Sequence, residues 1–211
     1  MRTRVKICGM RRAEDVRASV EEGADALGFV VGFPASPRNL LPRDAAALRR
    51  LVPPFVDAVL VCGAETVREL ESLVEEVEPD AIQLYGDLSL WEAREAAPSC
   101  WIIKPIAAGH PPDEQSLAGY DAVLLDTHSQ RKDLPGGTGV PHDWAAASRF
   151  RERVGIPVIL AGGLSPRNVG EAIRVVRPYG VDVSSGVEAS PGVKSRMLIR
   201  EFIRAVWGES R

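Results

Sequence analysis

The chain has 211 residues, of which 45% are hydrophobic, and a formal net charge of −3 at pH 7. This composition excludes disordered and fibrous proteins, and the length favours a single domain over residues 1–211. The 26 lysines and arginines are scattered, so neither nucleic acid nor a membrane surface is expected as a partner. No apolar stretch suits a signal peptide or a membrane span, and three widely spaced cysteines suit free thiols, so we expect a cytoplasmic protein.

Short apolar runs that predict strands alternate with longer segments along the chain. An Asp-Ala pair precedes several of these runs, which indicates one structural unit used repeatedly. The pairs begin at Asp25, Asp57, Asp80 and Asp121. The predicted strands cover residues 5–8, 26–31, 56–61, 81–84, 101–106, 122–125, 158–161 and 181–183.

The segments between the strands carry apolar residues at helical spacing. In residues 66–77 these recur every three or four positions, and Thr66 and Glu69 have the spacing of a capping box. Further helices are predicted in RAEDVRASVEEG, RDAAALRRLV, SPRNVGEAIRVV and SRMLIREFIRAV. Eight parallel strands with eight helices predict a (β/α)8 barrel, or TIM barrel. The alternative, an open doubly wound sheet, is disfavoured because its glycine-rich turn follows the first strand, whereas the glycine clusters here come late.

Small residues follow the seventh and eighth predicted strands. A barrel of this kind often binds phosphate at these two loops, where backbone amides approach an anion closely. A short helix predicted to start near Val187 would add its N-terminal dipole. Either cluster alone is equally well an ordinary turn, but together they favour a phosphate site and a small phosphorylated substrate. The residues are Gly162 and Gly163 in the first loop, and Ser184, Ser185 and Gly186 in the second.

Strand alternation predicts which side chains enter the barrel. Lys6 and Cys8 share one parity of the first strand, and Asp126 shares the inward parity of its own strand. Barrel closure places the first and eighth strands side by side, so we predict a contact between Lys6 and Asp182. A lone cysteine is most often a small buried hydrophobe, and an aspartate that ends a strand often caps a turn. These residues alone therefore leave the roles of Cys8 and Asp126 open.

Six segments together resemble a known family. They are KICGM, GFVVGFPASPR, DAIQLYG, LLDT followed by GGTG and a DW pair, LAGGLSPRNV, and VDVSSGVEASPGVK. In order and spacing they resemble the signature segments of phosphoribosylanthranilate isomerase of tryptophan biosynthesis, from Val5 to about Lys194. The resemblance implies an Amadori rearrangement of N-(5-phosphoribosyl)anthranilate to 1-(o-carboxyphenylamino)-1-deoxyribulose 5-phosphate, by acid and base catalysis without cofactor or metal.

The resemblance also implies roles for individual residues. Asp126 is the expected acid that opens the ribose ring, and Cys8 is the expected base that takes the proton from C2 of the sugar. Arg38 is the expected partner of the anthranilate carboxylate. Gln83 and Asp182 are expected to bind the substrate. The oligomeric state is left open between monomer and homodimer.

The chain departs from the family pattern near the expected aromatic end of the ligand. Asn39 stands where an aromatic residue is common, Tyr85 where histidine is common, and His142 where phenylalanine is common. A paralogue that acts on a related phosphoribosyl arylamine therefore remains an alternative. So does a dual isomerase that also serves histidine biosynthesis, although Cys8 and the lack of an early glycine-serine pair disfavour it. An indole-glycerol-phosphate synthase and a binding protein without activity are more distant alternatives.

Overall fold

Eight parallel strands close into a barrel in the computed structural model, which describes residues 2–108, 112–126 and 144–209. Each strand pairs with the next, and β1 pairs with both β2 and β8, which closes the barrel. The predicted (β/α)8 barrel is confirmed, and every predicted strand end lies within two residues of the observed one. The barrel strands are β1 Arg4–Cys8, β2 Ala26–Val31, β3 Asp57–Gly63, β4 Ala81–Tyr85, β5 Trp101–Ala107, β6 Ala122–Asp126, β7 Val158–Ala161 and β8 Gly180–Val183. A two-residue strand, Asn39–Leu40, also pairs with β2.

Seven α-helices surround the barrel in the described part of the chain. They are α1 Ala13–Glu22, α2 Pro42–Arg49, α3 Val67–Val77, α4 Leu90–Ala96, α5 Trp144–Arg153, α6 Val169–Val176 and α7 Arg196–Gly208. Thr66 caps α3 by accepting from the amide of Glu69, but the Glu69 carboxylate bonds the amide of Glu65, so the capping box is incomplete. None of these helices has the length and apolar character needed to span a membrane.

The expectation of eight α-helices is wrong for the described residues. Between β5 and β6 the described residues form a single 3-10 turn, Glu114–Leu117. Gly119 follows with φ of +90°, a left-handed conformation that ends helical structure.

Side chains of the barrel strands divide between two apolar layers. Val5 and Ile7 are fully buried in the core between strands and helices. Cys8 and Leu124 belong to a smaller cluster inside the barrel. The predicted inward parity of Cys8 is therefore confirmed. Alternate residues of one strand point either into the barrel or toward the surrounding helices.

The repeated Asp-Ala pairs stabilise the amino-terminal end of the barrel. Three of the four aspartates accept a hydrogen bond from a backbone amide in the preceding strand. Asp25 accepts from Val5 at 2.8 Å, Asp80 from Ala58 at 2.8 Å, and Asp121 from Ile102 at 2.7 Å. In a barrel of this architecture this end serves stability, whereas chemistry lies at the carboxyl ends of the strands.

The chain after β8 folds differently from the prediction. A 3-10 turn, Ser185–Val187, leads into an antiparallel hairpin of Glu188–Ser190 and Val193–Lys194, which we call the Glu188 hairpin. The helix predicted to start near Val187 is wrong, because the chain is extended from Glu188 and forms a strand there, which Gly192, with φ of +77°, turns back on itself. A three-residue turn has no appreciable helix dipole, so any anion here depends on individual backbone and side-chain groups.

Candidate active site

A cavity opens at the carboxyl ends of the strands. Its volume is about 50 Å³, smaller than the roughly 300–1,000 Å³ of typical small-molecule sites. Gly186 is absent from its wall, but the other predicted site residues line it. These are Cys8, Arg38, Gln83, Asp126, Gly162, Gly163, Asp182, Ser184 and Ser185.

A row of hydrogen-bonded polar side chains crosses the inside of the barrel, and all of them except Lys6 line the cavity. The Lys6 ammonium donates to Asp182 at 2.8 Å and to the Gln83 amide oxygen at 3.1 Å. The amide nitrogen of Gln83 then donates to the Tyr85 hydroxyl at 3.0 Å. The predicted Lys6 and Asp182 contact is confirmed, and it joins β1 to β8 where their residues lie in register.

The Cys8 thiol is buried at the end of β1. A Cβ atom on Gly28 of β2 would lie 2.7 Å from its sulfur, so glycine makes room for the thiol. Burial raises the pKa of Cys8, and the positive charges of Lys6 and Lys194 act in the opposite direction. The thiol is therefore mainly protonated near neutral pH, and the two lysines provide the potential that favours its ionised form.

Asp126 ends β6 and is buried beside Tyr85. Burial raises the pKa of Tyr85, so its phenol keeps its proton and remains a donor. The Tyr85 ring makes an edge contact with Phe33, with centroids 5.5 Å apart. The segment GGTG, Asp143 of the DW pair and His142 lie outside the described residues.

The two glycine-containing loops pack directly against each other. Gly162 and Gly163 have φ of +89° and +55°, values that favour glycine. A Cβ atom on Gly186 would lie 1.9 Å from the carbonyl oxygen of Leu164. Asn168 fixes the first loop by donating to the carbonyl oxygen of Gly163 at 3.0 Å. Gly186 thus supports the cavity wall from behind and does not itself line it.

Asn39, one of the departures from the family pattern, has a local structural role. Its side-chain oxygen accepts from the amide of Phe33 at 2.8 Å and so closes the loop after β2. Asn39 is not among the residues that line the cavity.

Sequence reasoning missed two charged residues next to the site. Glu188 and Lys194 occupy opposite strands of the Glu188 hairpin and are both buried, and Glu188 pairs with Arg38. Both lie in the quoted segment VDVSSGVEASPGVK. The sequence did contain a sign of their pairing. A glutamate and a lysine flank a Pro-Gly pair, and such a pair is typical of a tight turn that brings the flanking residues together.

Comparison with known proteins identifies the family of this chain. Residues 5–205 match the family model of N-(5'-phosphoribosyl)anthranilate (PRA) isomerase. The chain belongs to this family. N-(5'-phosphoribosyl)anthranilate isomerase of Halobacterium salinarum is 44% identical over 209 residues, which cover 95% of this chain and 94% of the relative.

Solved structures of the family share the fold along nearly the whole chain. A phosphoribosyl anthranilate isomerase in complex with reduced 1-(o-carboxyphenylamino)-1-deoxyribulose 5-phosphate is 36% identical, with a TM-score of 0.80 and coverage of 98% of this chain and 99% of that one. Monomers generated from the dimeric enzyme of Thermotoga maritima give 36% identity, a TM-score of 0.79 and the same coverage. The chain is thus an isomerase of the phosphoribosylanthranilate isomerase family, which serves tryptophan biosynthesis.

Proposed function

We propose that this chain converts N-(5-phosphoribosyl)anthranilate into 1-(o-carboxyphenylamino)-1-deoxyribulose 5-phosphate, with Asp126 as acid and Cys8 as base. The observation that carries the proposal is the placement of both side chains on the wall of one cavity, at the ends of β6 and β1. The solved relative in complex with the reduced form of this product supports the choice of substrate.

The proposed reaction requires one proton donor and one proton acceptor. The Asp126 carboxyl donates a proton to the ring oxygen of the ribose, which opens the ring to a Schiff base. The Cys8 thiolate then removes the proton from C2 of the sugar, and the enolamine that forms tautomerises to the ketone. Asp126 is buried and lines the cavity, so its carboxyl lies where a bound ribose can reach it.

Polar groups around the cavity suit the three parts of this substrate. The loops of Gly162-Gly163 and Ser184-Ser185 offer small residues for the phosphate. Arg38 offers a planar guanidinium for the carboxylate of the aromatic ring. Asp182 and Gln83, held by Lys6, offer acceptors and donors for the sugar hydroxyls. In this arrangement Asp126 and Cys8 lie at the sugar, between the phosphate and the carboxylate of the substrate.

The test is turnover of phosphoribosylanthranilate generated in situ, followed by the loss of its fluorescence. We expect turnover by the parent, and its loss in Cys8→Ala and in Asp126→Asn. Cys100→Ala is the matched control, because Cys100 lies at the far end of the barrel, where its thiol donates to the carbonyl of Pro79. A Cys8→Ala variant with the parental rate would contradict the assignment of the base.

Tyr85 favours a second candidate, a related phosphoribosyl arylamine as preferred substrate. Its ring lines the cavity and packs against Phe33, where a histidine is common in the family. A bulkier, less polar wall alters the space for the aromatic ring of the ligand. A ring-substituted anthranilate derivative turned over with higher kcat/KM than the parent compound would support this candidate. Preference for unsubstituted anthranilate would reject it.

We further infer that two copies associate through the amino-terminal end of the barrel. Phe55 is fully exposed there with φ of +71°, and it borders a cavity of about 370 Å³ whose wall also includes Trp101 and Tyr179. Exposed aromatic residues around a cavity are typical of an interface. Phe55→Ser is expected to yield monomers in sedimentation, whereas Trp91→Ser, on α4, is expected to retain the dimer. A monomeric parent would contradict the inference.

A further inference from the structure

Arg38 is bound by a carboxylate of the protein itself. Its Nε donates to one oxygen of Glu188 at 2.8 Å and its Nη2 to the other at 2.7 Å. Both side chains are buried, with 11% and 5% of their surfaces exposed. This fork geometry fixes the plane of the guanidinium as well as its position. The loop after β2 is thereby joined to the hairpin after β8.

A second cation holds the same carboxylate. The Lys194 ammonium donates to Glu188 at 2.9 Å and to the carbonyl oxygen of Ser184 at 3.0 Å, and its side chain is fully buried. Burial alone would raise the pKa of Glu188, but the bonds from Arg38 and Lys194 lower it. Glu188 is therefore ionised, and it occupies the centre of a buried trio with two cations and one anion.

Burial lowers the pKa of Lys194, which the Glu188 carboxylate opposes, so Arg38 is the member of the trio that is charged at every pH. A guanidinium has five N–H donors, and Glu188 uses two of them. Within the described part of the chain no other group accepts from the Arg38 guanidinium, so three donors remain for a ligand in the cavity that it lines. Because a buried charge is costly without a partner, a second carboxylate from the ligand would complete the pairing.

The hairpin also contacts the Arg38 loop through its backbone. Gly192 forms the hairpin turn, and a Cβ atom there would lie 2.7 Å from the carbonyl oxygen of Pro37, the residue before Arg38. Arg11 donates to that same carbonyl at 2.9 Å. The turn thus packs directly against the loop that carries Arg38, independently of the ion pair.

We propose that Glu188 and Lys194 are positioning residues that orient Arg38 toward the carboxylate of an aryl amine substrate. Glu188 fixes the guanidinium plane so that its unused edge faces the cavity. Lys194 keeps Glu188 ionised and in place, and its bond to Ser184 connects this end of the site to the proposed phosphate loop. The inference rests on the proposed function, because it assigns the part of that substrate which Arg38 recognises.

The test compares Glu188→Gln with the parent and with Glu171→Gln, an exposed glutamate of α6. Loss of a charge-assisted bond predicts a roughly tenfold rise in KM for phosphoribosylanthranilate, with a smaller change in kcat. Inhibition by inorganic phosphate is expected to stay at the parental level. An unchanged KM, or an equal loss of phosphate inhibition from general disorder of the loops, would overturn the proposal.

Two further measurements separate positioning from a merely structural role. In an Arg38→Met background, Glu188→Gln is expected to add nothing to KM, since the residue that it positions is gone. With the phosphoribosyl derivative of aniline, which lacks the carboxylate, parent and Glu188→Gln are expected to have equal KM. The proposal would be overturned if Glu188→Gln raised KM further in the Arg38→Met background. It would also be overturned if parent and Glu188→Gln still differed in KM for the aniline derivative. A parent without turnover would instead reject the proposed function.

Discussion

Lys6 and Asp182 form a buried ion pair, with 2.8 Å between the ammonium nitrogen and a carboxylate oxygen, across the seam where β1 meets β8. Only 4% and 10% of the two side chains are exposed. Lys6 lies two residues before Cys8, and Asp182 lies two residues before Ser184. The pair therefore connects closure of the barrel to the two strand ends that carry the proposed base and phosphate loop.

Asp182→Asn is expected to impair both stability and catalysis. The change leaves the Lys6 ammonium buried without its carboxylate, which costs roughly 3–5 kcal/mol. We expect a lower urea midpoint and a lower kcat/KM. The double variant Lys6→Met, Asp182→Leu removes both charges, so it is expected to recover stability but not activity. An unchanged rate in Asp182→Asn would remove the pair from the mechanism.

The charge of Lys6 predicts a shift in the pH dependence of activity. Cys8 acts as a base only when ionised, so kcat/KM rises with pH through its pKa. Burial already raises the pKa of Cys8 above its ordinary value, and Lys6 opposes this. In Lys6→Met the pKa rises further, and the rising limb of the pH profile moves to higher pH. Lys104→Met, in β5 and next to Tyr120, is the control and is expected to leave the limb in place. A limb that stays in place in Lys6→Met would contradict the prediction.

Local patterns predicted most of the barrel and part of the site. Alternation along each strand was sufficient to place Cys8 inside, and closure of eight parallel strands was sufficient to pair Lys6 with Asp182. These features depend on short-range periodicity and on a small set of allowed topologies. The repeated Asp-Ala pairs marked the strand starts, although their hydrogen bonds to preceding strands were not foreseen.

The remaining features depend on contacts that no local pattern encodes. Arg38 and Glu188 are 150 positions apart, and their pairing follows only once the loop and the hairpin are in place. The helix expected near Val187 is not formed, because the residues after Val187 belong to a hairpin in which Glu188 pairs with Lys194. The turn of that hairpin lies at Gly192. Asn39 was considered for its place near the ligand, but its side chain bonds the backbone of its own loop.

Two aspartates at opposite ends of β6 are expected to separate stability from function. Asp121 precedes the strand and accepts from the amide of Ile102 and from Arg94, both at 2.7 Å. Asp121→Asn is expected to cost roughly 1–3 kcal/mol of stability with kcat and KM unchanged. Asp126→Asn, at the other end, is expected to abolish turnover with little change in the urea midpoint. The two variants are measured side by side by kinetics and urea unfolding. Loss of turnover without loss of stability in Asp121→Asn, or loss of stability without loss of turnover in Asp126→Asn, would refute this division between the two ends of the barrel.

Gly186 is expected to be irreplaceable because of what lies behind it. In Gly186→Ala the new methyl group meets the carbonyl oxygen of Leu164 at 1.9 Å, so one of the two loops must move. We expect a loss of stability of roughly 1–3 kcal/mol and weaker inhibition by inorganic phosphate, since a small displacement of the loops misplaces their amides. Gly155→Ala is the matched control, because no atom lies within 4 Å of the added carbon. It is expected to remain within about 0.5 kcal/mol of the parent in urea unfolding. If Gly186→Ala retained parental phosphate inhibition, contact between these loops would have no part in anion binding.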